Sequence, residues 1–547
     1  MRRTMMKLQP AFFRDLKCYT KEQFIKDVIA GVIVAIIALP LSIALALASG
    51  VGPEEGIYTA IVAGFLISFL GGSKVQIAGP TAAFATIVAG IVAKNGMEGL
   101  VLSTILAGIF LIIMGLCHLG SLIRFIPYTI TTGFTAGIAV TIFIGQWKDF
   151  CGVTYQHGES PIETVEKVEA FFANITTFNV QAILVGAVCL AVLIFWPRVS
   201  EKIPGSLMAI LAGIAMVKGL NMDVNTIGDL YTISNKLPSL HVPAISYGLL
   251  KEVMSDAFTI AILAAIESLL SCVVADGMVN DKHDSNMELV AQGVGNIGSA
   301  LFGGIPATGA IARTAANVKN GGRTPVAGMV HAITLVLILV VLMPYAALIP
   351  MPTIAAILFT VAYNMSQWRP FLHLVKTAPK SDIIVLVVTF VLTVVFDLVV
   401  AIEFGMIIAC ILFLKRMSEE TEVKEWEYIE KPEDNINLIH LPRYVSVYEI
   451  NGPMFFGVSG LLNEITAESY TRCLILRMRS VPAIDATAMN ALEEVYGTYE
   501  KKGIKVIFSH VNEQPMHTME KAGFVDRVGR ENFVKNIRAA VEKARAI

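Results

Sequence analysis

Long apolar runs fill most of residues 27–416 and restrict this chain to a small set of folds. A helix needs roughly 20 apolar residues to cross about 30 Å of hydrocarbon, and many of the runs approach that length. The chain is 55% hydrophobic and 16% charged, whereas soluble domains are close to a quarter charged. We therefore expect an α-helical polytopic membrane protein with full-length spans near 27–49, 55–71, 98–118, 126–147, 178–197, 203–219, 252–275, 286–303, 324–347, 351–366, 380–397 and 399–416.

Two short segments, Ile77–Ala83 (IAGPTAA) and Gly304–Ala310 (GIPATGA), interrupt this pattern at corresponding points of the two halves. Each is an extended stretch that leads into an apolar helix too short to span a bilayer, near 80–94 and 308–319. Paired broken helices of this kind mark the binding sites of secondary transporters. Their free backbone N–H groups and positive dipole ends favour an anion. The alternative is re-entrant packing without a ligand.

Each half-helix crosses the membrane together with its extended segment, which makes fourteen crossings, seven in each half. An even number of crossings places both termini on the same side. That side carries about twice as many Lys and Arg residues as the opposite side between residues 27 and 416. We therefore expect cytoplasmic termini and a multi-pass protein of the cell inner (plasma) membrane. Residues 1–26 form a basic N-terminal segment, without an evident cleavable signal peptide.

The two halves repeat each other at a constant offset. Thr81 and Thr308 are 227 residues apart, and the same offset separates Pro40 of the first span from Glu267 of the eighth. Because seven is odd, a duplicated unit of seven spans inserts in opposite orientations, which is the inverted repeat of many transporters. Chance similarity between two apolar stretches is the alternative explanation.

The composition changes after Arg416, where the membrane domain of residues 27–416 is expected to end. Residues 417–437 are acidic and polar and are expected to form a linker or a surface helix. Residues 438–547 have the pattern of a small soluble α/β domain, and about a hundred residues suffice for an independent core. The pattern predicts strands near 444–450, 454–456, 473–476 and 506–508, and helices near 458–469, 486–501, 513–522 and 531–546.

Several motifs point to a family: Ala38–Ala44 (ALPLSIA), Gly71–Thr81 (GGSKVQIAGPT), Glu267-Ser268, Glu288–Gly293 (ELVAQG) and Gly303–Arg313 (GGIPATGAIAR). Together they resemble the sulfate permease (SulP) family of anion transporters along essentially the whole chain, and the C-terminal domain resembles that family's STAS domain. The resemblance implies a seven-plus-seven inverted repeat with core and gate domains, elevator-like alternating access and usually a homodimer. We expect no enzymatic activity and no cofactor, and no cysteine or histidine spacing indicates a metal site.

The two facing helix starts are the expected anion site. In this interpretation, the hydroxyl groups of Thr81 and Thr308 and the nearby backbone N–H groups replace part of the hydration shell of the anion, and Phe84 closes one side. Small residues around them let the backbone approach the ligand closely. The expected substrate-binding residues are Pro40, Ser42, Gly79, Thr81, Ala82, Ala83, Phe84, Ala307, Thr308, Gly309, Ala310 and Arg313.

Glu267 and Arg313 are ionisable residues inside predicted spans, where such groups are costly and are functional candidates by default. We expect them to form an ion pair. Arg313 then biases the cavity toward anions, while Glu267 neutralises it or exchanges a proton during transport. A permanent structural ion pair that locks the eighth and tenth spans together is the alternative.

The family resemblance also bears on the coupling ion. In sodium-coupled bicarbonate members, a carboxylate resembling Glu267 and a hydroxyl resembling Ser271 help to bind sodium, with a small residue where Arg313 stands. A fixed cation at that place repels sodium, so we expect proton coupling, with Ser271 and Thr314 as local hydrogen-bonding groups. Some proton-coupled relatives carry an acidic residue directly after the first-span proline. This chain has Leu41 there, which leaves Glu267 as the expected proton carrier.

In the STAS-like domain, Asp485 of the signature loop is followed by Ala486, whereas related anti-sigma-factor antagonists carry a phosphorylated serine there. We therefore expect a regulatory or docking role toward a cytoplasmic partner, with simple folding support as the alternative.

For the whole chain we predict a proton-coupled sulfate symporter, with the anion, protons, membrane lipid and a second copy of the chain as partners. Bicarbonate and C4-dicarboxylates such as fumarate or succinate stay open as substrates. An anion channel stays open as another mechanism, and a membrane-anchored signalling protein stays open as a third class. The formal net charge of −2 gives no sign of a nucleic-acid partner.

Overall fold

A computed structural model describes residues 8–15, 19–121, 127–155, 161, 163–200, 203–243, 246–396, 398–425 and 441–547. The chain divides into two compact units, Met1–Met406 and Ile407–Ile547. The domain boundaries expected after residues 26, 416 and 437 stay predictions. Much of the expected linker and the first residues of the expected C-terminal domain, 426–440, lie outside the described residues.

The first unit is helical, and each predicted full-length span coincides with a helix or with part of one. The last helix below, Leu398–Glu419, crosses the boundary between the two units. The helices are α1 (Ala11–Asp15), α2 (Lys21–Ala48), α3 (Pro53–Leu70), α4 (Ala85–Leu116), α5 (Tyr128–Gly145), α6 (Trp147–Cys151), α7 (Thr164–Ala173), α8 (Val180–Phe195), α9 (Gly205–Gly219), α10 (Ile227–Leu230), α11 (Tyr247–Val279), α12 (Ser285–Leu301), α13 (Ile311–Lys319), α14 (Val326–Ala346), α15 (Met351–Met365), α16 (Trp368–Thr377), α17 (Lys380–Val395) and α18 (Leu398–Glu419). The predicted helical membrane fold is confirmed. Among the described residues, 7 helices are long and apolar enough to cross a membrane, and the count of fourteen crossings stays a prediction.

Helix α4 contains both the first predicted half-helix and the full span that follows it. A 3-10 turn, Ala82–Phe84, precedes α4. Gly96 interrupts α4 with φ 67° and ψ −172°, a backbone conformation that residues other than glycine adopt only under strain. The half-helix therefore ends at Gly96, close to the predicted end near residue 94.

The helices of the first unit pack as two groups. Helices α2, α3, α4, α11, α12, α13 and α14 form one group, here called the core group. Helices α5, α8, α9, α15 and α17 form the second, here called the gate group, and α2 contacts α9 and α15 across the boundary. Within the core group, α4 and α12 approach closely because Gly108 and Gly293 face each other. A Cβ atom added to Gly108 would lie 2.6 Å from the Gly293 carbonyl oxygen.

A two-stranded antiparallel sheet lies in the core group, where the two broken helices begin. Strand β1 (Ala78–Gly79) pairs with β2 (Thr308–Gly309), and Ala78 lies opposite Gly309 in the register. The 3-10 turn and α4 follow β1, while α13 follows β2. The two extended segments that the sequence predicts before the half-helices are thus each other's hydrogen-bonding partners.

The second unit holds a five-stranded sheet in the order β3 (Glu422–Glu425), β4 (Val445–Asn451), β5 (Cys473–Ser480), β6 (Lys505–Ser509) and β7 (Phe533–Val534). Strand β3 is antiparallel to β4, and the other neighbouring pairs are parallel. The helices of this unit are α19 (Ala486–Lys501), α20 (Glu513–Lys521), α21 (Phe524–Val528) and α22 (Ile537–Arg545). Alternate residues of β5 face opposite sides: Leu474 belongs to the cluster with α19–α21, and Ile475 to the cluster with α22.

Three expectations for this α/β domain are wrong. Residues 454–456 form no strand, because Met454 makes only an isolated bridge with Ile484 and the Asp485 carboxylate accepts the Phe456 N–H at 2.9 Å. The helix predicted at 458–469 is a 3-10 helix, Phe456–Glu464. The C-terminal helix begins only at Ile537, after β7. In addition, β3 forms an edge strand inside the segment expected to be a linker.

Candidate anion-binding site

The starts of the two half-helices have backbone N–H groups available for a ligand. Thr81, which precedes the 3-10 turn, is extended with φ −126° and ψ 159°. Ala310, which precedes α13, has φ −92° and ψ 110°. In the described chain, no side chain caps either start. Uncapped helix starts favour an anion because their N–H groups and the positive ends of their dipoles are directed at the same place.

Helix α13 holds the first extended segment in place through three of its side chains. Asn317 donates from Nδ2 to the Val75 carbonyl oxygen at 2.9 Å. The Ile77 N–H donates to the Thr314 hydroxyl at 3.1 Å. Arg313, the residue before Thr314, donates from Nη2 to the Pro80 carbonyl oxygen at 3.1 Å. The second half-helix therefore positions the start of the first.

Three polar side chains hold the second extended segment in a similar way. The Asn296 amide accepts the Ala307 N–H at 2.8 Å and donates to the Ala307 carbonyl oxygen at 2.9 Å. Thr59 accepts the Ile305 N–H at 2.7 Å. The Ser268 hydroxyl accepts the Gly309 N–H at 3.2 Å. Sequence reasoning assigned no role to Thr59, Asn296 or Ser268, although Ser268 stands in the quoted Glu267-Ser268 motif.

Glu288, which the sequence showed as part of a motif without a role, anchors the loop before β1. Its carboxylate accepts the backbone N–H groups of Gly72 and Ser73 at 3.0 and 3.2 Å. It also accepts the side-chain amides of Gln76 and Gln292 at 2.8 and 2.9 Å. A buried carboxylate with four donors is a rigid support, and it fixes the approach of the chain to β1.

The predicted direct ion pair between Glu267 and Arg313 does not form in the described chain. Glu267 instead accepts the Thr81 hydroxyl at Oε2, at 2.8 Å, and Arg313 donates to Pro80 and, at 3.4 Å, to the Ser42 hydroxyl. The two charged groups thus bind adjacent residues of the first helix start, and this segment links them. They share a site without touching.

Arg313 has a donor to spare at this position. Its side chain is buried, and Nη1 has no hydrogen-bond partner among the described residues. A Cβ atom on Gly79 would lie 2.3 Å from Nη1, so a larger residue at this position would displace the guanidinium from its place beside β1. A buried guanidinium nitrogen with an unused donor is suited to bind an anion bidentately with its neighbour or with backbone N–H groups.

The two threonine hydroxyls are engaged with protein groups. Thr81 donates to Glu267, whereas Thr308 is fully buried and its hydroxyl lies 2.6 Å from that of Ser268 and donates to the Ala264 carbonyl oxygen at 3.3 Å. Direct coordination of an anion by Thr308 stays a prediction, and it requires the hydroxyl to leave these partners. Ser271 donates to Thr314 at 3.4 Å, consistent with the local hydrogen bonding expected for that pair.

The remaining predicted site residues are small or apolar and lie inside the core group. A Cβ atom on Gly309 would meet the terminal amide of Gln76 at 2.2 Å, so a larger residue at this position would displace that amide. The role of the others as ligand contacts stays a prediction. These buried residues are Pro40, Ala82, Ala83, Phe84, Ala307 and Ala310.

Two uncapped half-helices that start side by side in a helical membrane unit, with a buried arginine between them, define a transporter of anions. The comparisons with known proteins agree with this class. Residues 24–389 match the Sulfate permease family, and residues 435–544 match the STAS domain. The chain belongs to the sulfate permease family of anion transporters, and its C-terminal domain is a STAS domain.

Relatives resemble the chain over nearly its whole length. It is 39% identical over 539 residues to the putative sulfate transporter YvdB of Bacillus subtilis, which covers 95% of this chain and 98% of the relative. It is 30% identical over 540 residues to the bicarbonate transporter BicA of a Picosynechococcus strain, covering 93% and 94%. The structure of the murine Slc26a9 anion transporter shares the fold, with a TM-score of 0.89 at 18% identity, covering 100% of this chain and 96% of that one.

Proposed function

We propose that this chain is a proton-coupled sulfate symporter that binds its anion between the starts of α4 and α13. One observation carries the proposal: Arg313 is buried beside two uncapped helix starts, and its Nη1 has no partner among the described residues. A buried cation with unused donors stabilises an anion far more than a water-exposed one does. The backbone N–H groups of both helix starts supply further donors.

Sulfate is proposed because a relative at 39% identity is named a putative sulfate transporter. The relative named as a bicarbonate transporter makes bicarbonate the principal rival, and C4-dicarboxylates such as fumarate stay candidates. A guanidinium and backbone N–H groups can donate hydrogen bonds both to a tetrahedral dianion and to a planar carboxylate. The polar groups of the site therefore indicate that the substrate is an anion, but they do not select among sulfate, bicarbonate and dicarboxylates.

Glu267 is proposed as the proton carrier because it shares the first helix start with Arg313. When the site is empty, the negative Glu267 compensates the positive Arg313. An anion that binds beside Arg313 adds negative charge, which favours protonation of Glu267. The anion and the proton therefore favour each other's binding and travel together. Sodium is disfavoured by the fixed guanidinium charge.

The two helix groups support an elevator-like cycle in which the core group carries the site past the gate group. Both extended segments and all their anchoring side chains belong to the core group, so it can move without breaking the site. We further propose a homodimer in the inner membrane with cytoplasmic termini. The STAS domain, which has Ala486 after Asp485, is proposed to dock a partner without phosphorylation of that position.

Transport by purified protein in liposomes tests this function. Saturable uptake of labelled sulfate without large currents is expected of a carrier. Glu267→Gln keeps an acceptor for the Thr81 hydroxyl but not the charge, so it should abolish pH-driven accumulation and spare anion exchange. Large ohmic currents would instead identify an anion channel, and intact pH-driven accumulation in Glu267→Gln would remove Glu267 from proton coupling.

A further inference from the structure

Helix α16, between α15 and α17, has an unusual distribution of side chains. The structure describes α16 throughout, and none of its residues is buried. Trp368, Leu372 and Val375 form an exposed apolar edge. Arg369 and Lys376 are exposed along the neighbouring edge. Residues three, four or seven positions apart share a face of a helix, and each of these two basic residues directly follows a residue of the apolar edge.

The third edge of α16 attaches it to the gate group. Phe371 is half-buried, and its ring centroid lies 5.3 Å from that of Phe390 on α17. Helix α16 also contacts α5. The apolar and basic edges of α16 therefore stay exposed although the helix packs against α5 and α17. Only a molecule or segment outside the gate group can cover these two edges.

A pair of exposed aromatic residues joins the end of α15 to the start of α16. Trp368 donates from its indole N–H to the Tyr363 hydroxyl at 3.3 Å, and the Arg369 guanidinium lies 5.3 Å from the centre of the Trp368 ring. Tyr363 is 61% exposed and Trp368 is 44% exposed. Exposed Trp and Tyr residues at the ends of spans are typical of the headgroup level of a bilayer.

The charged side chains of residues 366–381 have one sign, and Asp382 follows in the first turn of α17. Residues 366–381 contain Arg369, Lys376 and Lys380 and no Asp or Glu. An amphipathic helix with Trp and Leu on one edge and Arg and Lys beside it is the pattern of a helix that lies in the membrane interface. Basic side chains at that level attract anionic headgroups.

We propose that α16 lies in the membrane interface and binds the phosphate headgroups of anionic lipids. Trp368, Leu372 and Val375 enter the acyl boundary, while Arg369, Lys376 and Lys380 contact the headgroups. Because Phe371 packs on α17, bound lipid holds the gate group at a fixed depth in the bilayer. The basic edge complements the charge of the headgroups, and the aromatic pair fits their depth in the bilayer. Neither feature depends on which anion the chain transports.

Lipid retention by the purified full-length protein tests this proposal. The protein is equilibrated with equal amounts of phosphatidylglycerol and phosphatidylcholine, and co-purified lipids are counted by mass spectrometry. The test variant is R369Q/K376Q/K380Q, and the matched control, K501Q/K502Q/K521Q, removes three exposed lysines from the STAS domain. Each basic residue near an anionic surface changes affinity about fivefold, so the test variant should lose phosphatidylglycerol preference at least about tenfold. The control should keep it.

A second readout places the apolar edge. The contribution of Trp368 to the tryptophan emission is the difference between the wild type and Trp368→Phe. In vesicles of phosphatidylglycerol brominated near the headgroup, this contribution should be quenched more than the rest of the emission. Unchanged phosphatidylglycerol preference in the triple variant, or an unquenched Trp368, would overturn the proposal. A change in oligomeric state with unchanged lipid retention would also overturn it and would assign the edge to a second copy of the chain.

Discussion

Arg313 is held in the interior by one carbonyl oxygen and one hydroxyl, which is few partners for a buried guanidinium. Such a group has five N–H donors, and burial without an opposite charge is expensive. Glu267 binds Thr81, the residue after the Pro80 that Arg313 binds. Its carboxylate therefore offsets the charge of Arg313 without accepting a hydrogen bond from the guanidinium. The arrangement leaves the guanidinium able to exchange partners with an incoming anion.

Replacement of this guanidinium should weaken anion binding directly. A hydrogen bond to a charged group contributes about 1.5–3 kcal/mol, so Arg313→Gln should raise the Michaelis constant for sulfate uptake at least about tenfold. Arg323→Gln is a matched control, because Arg323 bonds to the carbonyl oxygens of Val318, in the last turn of α13, and of Gly322, beyond its end. Equal Michaelis constants for wild type and Arg313→Gln would place Arg313 outside the site.

The Thr81 hydroxyl should matter for coupling through its bond to Glu267. Thr81→Val removes the donor to the carboxylate with little change of volume, while Thr81→Ser keeps it. We expect proton-driven accumulation to fall in Thr81→Val and to persist in Thr81→Ser, measured as the accumulation ratio at a fixed pH gradient. Equal ratios in the two variants would mean that this hydrogen bond has no part in coupling.

The charged site residues were predictable because an ionisable residue inside an apolar run is conspicuous. Ser268, Asn296 and Thr59 were not, because hydroxyl and amide side chains are common in helices and their partners are backbone groups. Thr59 bonds to Ile305, which is 246 residues away, and no local pattern indicates such a partner. The prediction of a direct Glu267–Arg313 ion pair was wrong because each side chain binds one of the adjacent residues 81 and 80 instead.

The break in helix α4 depends on the backbone conformation of one residue, Gly96. Gly96 has a positive φ, so Gly96→Ala should lower the free energy of unfolding by about 1–3 kcal/mol. Gly90 lies in the regular part of the same half-helix, with open space around its Cα, and Gly90→Ala should be neutral or stabilising by up to about 1 kcal/mol. Thermal unfolding of the two purified variants makes the comparison. A Gly96→Ala protein as stable as Gly90→Ala would contradict the assigned break.

Elements with a strong period were predictable, and those set by tertiary contacts were not. The spans follow directly from apolar length, and both half-helices follow from Gly and Pro near their starts. The short helices α6, α7, α10 and α16 were missed because they are brief or amphipathic and lie in polar connections. Phe455 and Phe456 resemble a strand in composition, but the Asp485 side chain binds the Phe456 N–H and directs the chain into a 3-10 helix.

The molecule has a second hydrophobic core, in the STAS domain, and a buried thiol reports on it. Cys473 begins β5, and burial raises the pKa of its thiol from 9.0 to about 12, while nearby Lys505 lowers it slightly. Above pH 9 the unfolded chain loses this proton and the folded domain keeps it, so stability falls as pH rises toward 12.

The isolated fragment 417–547 contains Cys473 as its only cysteine. Its free energy of unfolding should fall by about 1.4 kcal/mol between pH 8 and pH 10 through this thiol. Cys473→Ala should reduce that slope, measured by urea unfolding at each pH. Burial also raises the pKa of Tyr448, Tyr496 and Tyr499 above the usual value of 10.0. These groups add to the fall in both fragments, so the difference between the two slopes isolates the thiol. Equal slopes for the two fragments would contradict this account of the domain core.

In the proposed function, the facing helix starts bind an anion whose transport is coupled to protons through Glu267. The most direct test is uptake of labelled sulfate, bicarbonate and fumarate into liposomes, first under an inward proton gradient and then under an inward sodium gradient. We predict proton-driven uptake of sulfate that is lost in Glu267→Gln. Sodium-driven uptake of bicarbonate, with no response to the proton gradient, would contradict both the substrate and the role assigned to the Arg313 charge.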